Sequence, residues 1–226
     1  MPILPMVVDL FHGDNNDDKQ VPIDFSKWKA MGIVGLIHKC TQGAGYADPL
    51  YARRRAQWMN GEKATIRNAD GSTSQVDPLF GAYSFNTGEG VVAQVYEFLS
   101  HAEPDASTLM ALDFEDNPRS QMSLAQMMQF LELADAKLGR KLVLYSGNRV
   151  IDLLGSQTIS MLGQHRLWRP QYPLAPESFA QVRVQKSWQK PWLWQYSDRG
   201  QLLGCAGHVD LNAFDGSAAD LAAQWA

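Results

Sequence analysis

Four acidic residues stand at the ends of short apolar runs, and this placement is where the sequence could do chemistry. Asp9 follows Met6-Val7-Val8, Asp113 and Glu115 follow Leu109-Met110-Ala111-Leu112, and Asp210 follows His208-Val209. Side chains alternate along a strand, so residues two apart point the same way, about 7 Å apart at ~3.3 Å per residue. The spacing therefore predicts Asp113 and Glu115 facing one cavity, with Phe114 turned to the other side. A carboxylate in a cavity costs desolvation energy unless it has partners or a task. Paired carboxyl groups suit glycoside hydrolysis: one protonates the departing oxygen, and another stabilises positive charge at the anomeric carbon. Crowding raises one pKa, which keeps an acid available near neutral pH. A lone Asp-x-Glu is common at solvated strand ends, but four such acids in one strand pattern favour a functional cluster. These residues alone do not choose between a glycosidase and a metal-dependent hydrolase.

The elements that must position these acids alternate between short apolar runs and helical stripes. Met6–Phe11, Ile33–Lys39, Phe80–Phe85, Leu109–Glu115 and Leu142–Ser146 read as strands. Helices are expected at Phe25–Met31, from Pro49 with Asp48 as cap, at Gly90–His101, from a Ser123 cap to Gly139, and at Arg149–Leu162. Three further strands, Leu167–Tyr172, Pro191–Ser197 and His208–Phe214, are separated by stretches with no helical stripe. The fold class read from this is α/β: an irregular eight-stranded β/α barrel, five β/α units followed by three strands with little helix. Such alternation argues for a parallel sheet, and in such barrels the C-terminal strand ends carry the active site. The whole chain, 1–226, reads as a single catalytic barrel domain. Residues 61–78 are rich in turn-formers and read as a surface insertion, a solvated hairpin in preference to a lid.

Composition narrows the function classes. The 226 residues carry a formal net charge of −4, which offers no basic excess for nucleic acid or an anionic membrane. The Arg53-Arg54-Arg55 run reads as the solvated face of a helix whose apolar side holds Tyr51, Trp58 and Met59. Two cysteines, Cys40 and Cys205, are too few for a disulfide scaffold and read as small buried hydrophobes. No apolar run approaches the ~20 residues that span a bilayer, so no membrane insertion is expected. The opening Met1-Pro2-Ile3-Leu4-Pro5-Met6 has no basic and apolar leader pattern, so action on a cell wall implies another exit route or a phage lysis setting. His12, His38, His101, His165 and His208 show no paired metal-ligand spacing, and His208 beside Asp210 reads as structural. Neither a metal nor another cofactor is expected. Activity should therefore survive exhaustive chelation; loss under EDTA with rescue by zinc or manganese would count for a metal-dependent hydrolase.

In order along the chain, several segments together resemble one family. They are Val8-Asp9-Leu10-Phe11-His12-Gly13, Lys39-Cys40-Thr41-Gln42-Gly43 with Tyr46-Ala47-Asp48-Pro49, Gly81-Ala82-Tyr83-Ser84-Phe85, Ala111-Leu112-Asp113-Phe114-Glu115, Leu144-Tyr145-Ser146, Leu167-Trp168, Trp194-Gln195-Tyr196-Ser197 and Val209-Asp210-Leu211-Asn212. The sequence resembles the glycoside hydrolase family 25 lysozymes, N-acetylmuramidases that cut peptidoglycan. The resemblance implies a barrel of five β/α units followed by three strands, which agrees with the element count. It implies Glu115 as general acid, Asp113 as the group that orients the 2-acetamido substituent or stabilises charge, and Asp9 and Asp210 as holders of the acid's surroundings. It implies substrate contacts from Lys39, Tyr83, Phe85, Tyr145, Trp168, Trp194 and Gln195, with flat sugar faces packing on aromatic rings. Trp188, Trp192, Tyr172 and Tyr196 add to the late aromatic density, much of which belongs to core. The chain departs from the family pattern at Phe11-His12-Gly13-Asp14-Asn15, at Gln42 in place of Glu and at Ser84 in place of His. The implied partner is the peptidoglycan glycan strand, met by a monomer. The rival readings are a barrel that binds glycan without cutting it, and a metal-dependent barrel hydrolase.

Overall fold

The structure, a computed structural model, describes residues 6–14, 22–68, 70–172 and 178–226. The leader reading at residues 1–5 and the motif residue Asn15 lie outside them. In chain order the elements are β1 Val7–Leu10, α1 Phe25–Ala30, β2 Gly35–Gln42, β3 Tyr46–Ala47, α2 Tyr51–Met59, β4 Ala64–Arg67, β5 Thr73–Val76, β6 Leu79–Phe85, α3 Val91–Ala102, β7 Leu109–Asp113, α4 Leu124–Leu138, β8 Val143–Tyr145, α5 Asn148–Leu154, β9 Arg166–Pro170, β10 Leu193–Gly200, β11 Val209–Phe214 and α6 Ala218–Ala223. Among the described residues, eight strands run in the order β1-β11-β10-β9-β8-β7-β6-β2, and pairing of β1 with β2 closes the barrel. The five helices α1 to α5 follow the first five barrel strands, and β4 with β5 form a separate hairpin within the 61–78 insertion.

The expected parallel sheet needs one correction. β11 runs antiparallel to both its neighbours, β1 and β10. Residues 201–208 join β10 to β11 without a helix, and a link this short returns the chain antiparallel, whereas a parallel neighbour needs a longer crossover. The reversal changes how Asp210 reaches the barrel mouth. It stands near the beginning of β11, directly opposite Asp9 near the end of β1.

Strand alternation divides the core in two. One cluster holds Val7, Ile37, Tyr83, Leu109, Ala111, Val143, Tyr145, Trp168 and Leu193 with Ala218, Leu221 and Trp225. The other holds Val8, Leu10, Leu36, Ala82, Leu112, Phe114 and Leu144 with the apolar stripes of the helices. The first fills the barrel and the second joins barrel to helices, as inward and outward positions of the same strands require. Helix α6, which the sequence pattern did not predict, closes the floor. Its Ser217 cap accepts from Asp220 N at 3.1 Å. It delivers Trp225 against the start of β6, where the indole Nε1 donates to Phe80 O at 2.8 Å. Gly35 is glycine for this reason: a Cβ there would come within 2.8 Å of the Trp225 ring.

Other boundaries shift in instructive ways. The capping box Ser123/Gln126 and the left-handed Gly139 (φ +69°) bound α4 as the sequence predicts. Helix α2 begins at Tyr51 rather than Pro49, because Asp48 caps an earlier turn: its Oδ1 accepts from Leu50 N and its Oδ2 from His12 N, both at 2.9 Å. Helix α5 ends at Gly155 (φ +54°), well short of Leu162. Arg54 does not belong to a solvated face. It is 2% exposed, and its guanidinium donates to Phe11 O at 2.7 Å and contacts His38 Nε2 at 3.2 Å. Cys40 is buried and Cys205 half-buried, and no disulfide joins them.

Candidate active site

At the barrel mouth a cavity of about 230 Å³ is lined by Asp9, Phe11, Lys39, Tyr83, Phe85, Asp113, Glu115, Tyr145, Trp168, Gln195 and Asp210. A larger cavity, about 570 Å³, lies at the other end of the barrel between α1 and the hairpin. Among the described residues its lining, which includes Met6, Met31, Ile66 and Arg67, holds no carboxylate, so the smaller cavity is the one equipped for acid chemistry.

The structure brings all four acids to this cavity. Strand β7 ends at Asp113, so Glu115 lies beyond the strand rather than within it. Side-chain alternation persists across the boundary because the backbone there is pinned. Phe114 N donates to Tyr145 O at 2.8 Å, Ser146 Oγ donates to Phe114 O at 2.8 Å, and Asn86 Nδ2 donates to Glu115 O at 3.1 Å. Phe114 is thereby sealed in the outer core beneath the Arg149 guanidinium, 4.7 Å from its ring centroid. Glu115 opens into the cavity beside Asp113.

Asp9 and Asp210 are held by an amide frame. Gln195 Nε2 donates to both Asp9 oxygens, at 3.0 and 3.1 Å, and to Asp210 Oδ2 at 3.4 Å. Its own Oε1 accepts from Tyr145 Oη at 2.9 Å and Tyr172 Oη at 2.7 Å, which fixes the amide orientation. Asn212 Nδ2 donates to Asp9 Oδ1 at 2.7 Å, while Trp168 Nε1 donates to Asn212 Oδ1 at 2.6 Å. Tyr172 and Asn212 belong to this frame although the sequence reading did not single them out for it. Asn212 was detectable: it lies two residues after Asp210, on the same face of β11.

Four carboxyl groups in one poorly solvated cavity cannot all ionise cheaply. Asp9 and Asp210 are cross-strand partners, an arrangement that repels when both are charged. Burial and the Asp9 charge push Asp210 up to about 10, and burial lifts Asp9 to about 6 against its hydrogen bonds from Asn212 and Gln195. Burial, then the Glu115 charge, holds Asp113 well above the usual carboxylate range, and one of its oxygens is buried without a hydrogen-bond partner. Glu115 is raised to about 6 by burial and then by the Asp9 charge. The cavity therefore favours keeping some of its carboxyl groups protonated near neutral pH.

Six of the seven side chains expected at the substrate line the cavity: Lys39, Tyr83, Phe85, Tyr145, Trp168 and Gln195. Trp194 does not. It precedes Gln195 on β10 and so faces away from the cavity, where its Nε1 donates to Gln171 O at 2.8 Å and its ring meets Phe179 and Tyr196. Trp168 forms cavity wall, with Tyr145 and Tyr83 edge-on at 4.7 and 6.3 Å. Phe11 joins the lining as a more exposed ring than these. Trp188 and Trp192 are core. His208 is exposed and outside the lining. Among the described residues, no three His, Cys, Asp or Glu side chains form a group able to hold a metal ion, and no helix is long and apolar enough to cross a membrane.

Comparison with known proteins gives one consistent result. The sequence profile described as glycosyl hydrolases family 25 matches residues 9–205. Lysozyme M1 of Streptomyces globisporus is 28% identical over 223 residues, an alignment covering 90% of this chain and 67% of the relative. The crystal structure of the bacterial lysozyme from Streptomyces coelicolor superposes with a TM-score of 0.74 at 26% identity, covering 96% of this chain and 95% of that one. A family GH25 lysozyme from Aspergillus fumigatus shares the fold, with a TM-score of 0.69 at 20% identity and 97% of each chain covered.

Proposed function

This chain belongs to glycosyl hydrolases family 25, and on that premise we propose that it is a muramidase that hydrolyses the β-1,4 bond between N-acetylmuramic acid and N-acetylglucosamine in peptidoglycan. The observation that carries the reading is the joint presence of Asp113 and Glu115 in one cavity with raised proton affinity. The lysozyme names of the relatives support the same substrate.

Glu115 is the general acid. Its carboxyl group is partly exposed at the cavity, so it can meet a departing glycosidic oxygen, and its pKa near 6 leaves a usable protonated fraction. Asp113 lies deeper and serves the positive charge that grows at the anomeric carbon, either directly or by orienting the 2-acetamido group. Asp9 and Asp210 share a proton and hold the field around the acid. Gln195 fixes both of them and, with Lys39, supplies polar contacts to the sugar. Tyr83, Phe85, Tyr145 and Trp168 give the cavity its walls.

A glycan-binding barrel without activity is disfavoured by this cluster, since binding alone has no use for four carboxyl groups that repel one another. The proposed setting is the cell wall, reached in phage lysis or by an export route. The 226 residues act as one catalytic domain and as a monomer on glycan strands. Mass spectrometry of digested peptidoglycan tests the bond assignment. The expected products carry N-acetylmuramic acid at the reducing end; N-acetylglucosamine there, or cut peptides, overturns it.

A further inference from the structure

Among the described residues that line the catalytic cavity, Lys39 is the single cation, set against four carboxyl groups. It is 8% exposed and unusually housed. Its Nζ lies 4.8 Å from the Phe85 ring centroid, 5.8 Å from that of Tyr46 and 5.9 Å from that of Phe11. Its hydrogen bond runs to the neutral Gln42 Oε1 at 2.6 Å. Ring faces attract an ammonium without cancelling its charge, and an amide oxygen likewise orients it without neutralising it. The cage thus holds Lys39 as a positive charge whose direct hydrogen bond is to a neutral amide and whose carboxylates act from further off.

The sheet register supplies the geometry. Gln42 pairs with Phe85, and Phe85 pairs with Asp113. Gln42 and Asp113 therefore stand two strand spacings apart, roughly 10 Å, with the Lys39 ammonium packed over the intervening Phe85 ring. The charged and titratable groups around Lys39 come from every neighbouring element. Asp113 and Glu115 come from β7 and its extension, Asp48 from ahead of α2, and Asp14 from behind β1. Tyr46 of β3 and Tyr83 of β6 contribute phenols, and Asp9 and Asp210 close the far side of the cavity.

We propose that Lys39, hydrogen-bonded to the neutral Gln42 instead of to a carboxylate, is the electrostatic positioning residue that sets how firmly the Asp113–Glu115 pair holds its proton. This rests on the muramidase reading, in which one member of the pair gives up a proton and the other meets positive charge. Lys39 favours the ionised form of both groups. Lys39 opposes the burial and mutual repulsion that raise both groups, so its loss raises their proton affinity further. Gln42 is then a choice with consequences: a carboxylate at this position would pair with Lys39 and cancel the field.

The test uses carbon-detected NMR titration of the carboxyl groups in the ligand-free full chain, which needs no substrate turnover. Gln42→Glu is expected to move the Asp113 and Glu115 titrations upward by about half a pH unit to one unit, the size of a unit charge at ~10 Å and an effective dielectric of ~20–40. The pH profile of kcat/KM should move the same way. Gln42→Met removes the hydrogen bond but adds no charge, and its titrations should stay close to wild type. Lys39→Arg should preserve the titrations and Lys39→Met should raise them. Should Lys39→Met fail to fold, Lys39→Gln takes its place and is expected to raise the titrations in the same way. Gln42→Glu cannot take that place, because it also brings a negative charge of its own near the acids. Wild-type titrations in the charge-removing Lys39 variants, or an equal movement in Gln42→Met, overturn the proposal. Absence of muropeptide products from the wild-type protein would instead overturn the muramidase reading and leave these titrations standing on their own.

Discussion

Glu115→Gln is expected to lower kcat by at least ~10²-fold while the fold persists, the lower range for loss of a general acid. Gln keeps the shape and most of the polar character of the side chain but has no proton to give. The Glu115 backbone is pinned by Asn86 through a contact the substitution does not touch. The pH profile makes the test independent of stability. Burial and the Asp9 charge raise the Glu115 pKa to about 6. If Glu115 is the proposed acid, its protonated form is the active one, and activity is expected to be retained below that pH and to decline as pH rises through it. The residual activity of Glu115→Gln should lack this basic limb. Turnover within a few-fold of wild type, or an unchanged limb in the variant, would assign the acid elsewhere, with Asp210 the next candidate. Asp113→Asn should also slow turnover, and the double variant should lose less than the product of the two single effects, because both groups act on one transition state. Full additivity would place them in separate steps.

The second large effect is on stability. Trp225→Ala should destabilise the protein by about 3–5 kcal/mol, the range for removing a fully buried aromatic side chain and leaving a cavity. Trp225 is 2% exposed, meets Trp192 at 6.1 Å between centroids, and caps the barrel floor over Gly35 and Phe80. It is far from the carboxylates at the mouth, so kcat per folded molecule should stay within a few-fold of wild type. Chemical denaturation monitored by circular dichroism measures the first quantity, and activity normalised to folded protein measures the second. A midpoint close to wild type would show that α6 is dispensable to the barrel. A large loss of kcat with stability intact would show that the floor is coupled to the mouth.

Much of the barrel was legible because its signals are local. Apolar runs of strand length, the Ser123 capping box and the stop at Gly139 each report on a few neighbouring residues. The inward direction of Asp113 and Glu115 followed from two-residue alternation, and it held even though the strand stops at Asp113, because Asn86 and Ser146 keep the following backbone extended in register. Where the reading slipped, a distant partner had intervened. Asp48 looked like a helix cap but is engaged by His12 from the first loop. Arg54 looked like a surface cation but is drawn inward by the Phe11 carbonyl and His38. Trp194 was grouped with Gln195, yet neighbours on one strand face opposite ways, and the hydrogen bonds of Gln195 to Asp9 decide which of the two points inward.

By itself, then, the sequence determined the order of the eight barrel strands and their first five helices and the identity of the four acids, since each depends on residue type at short spacing. Only the tertiary structure decided that β11 runs backwards, because strand direction is set by the partners it finds, β1 and β10, and not by its own pattern. That reversal places Asp210 opposite Asp9, where burial and the Asp9 charge raise its proton affinity. The amide frame of Gln195 and Asn212, the Trp225 floor and the aromatic cage around Lys39 were decided there too. Each joins residues from strands far apart in the chain, and the physical quantities that matter, burial and the distance between charges, exist only once the barrel has closed.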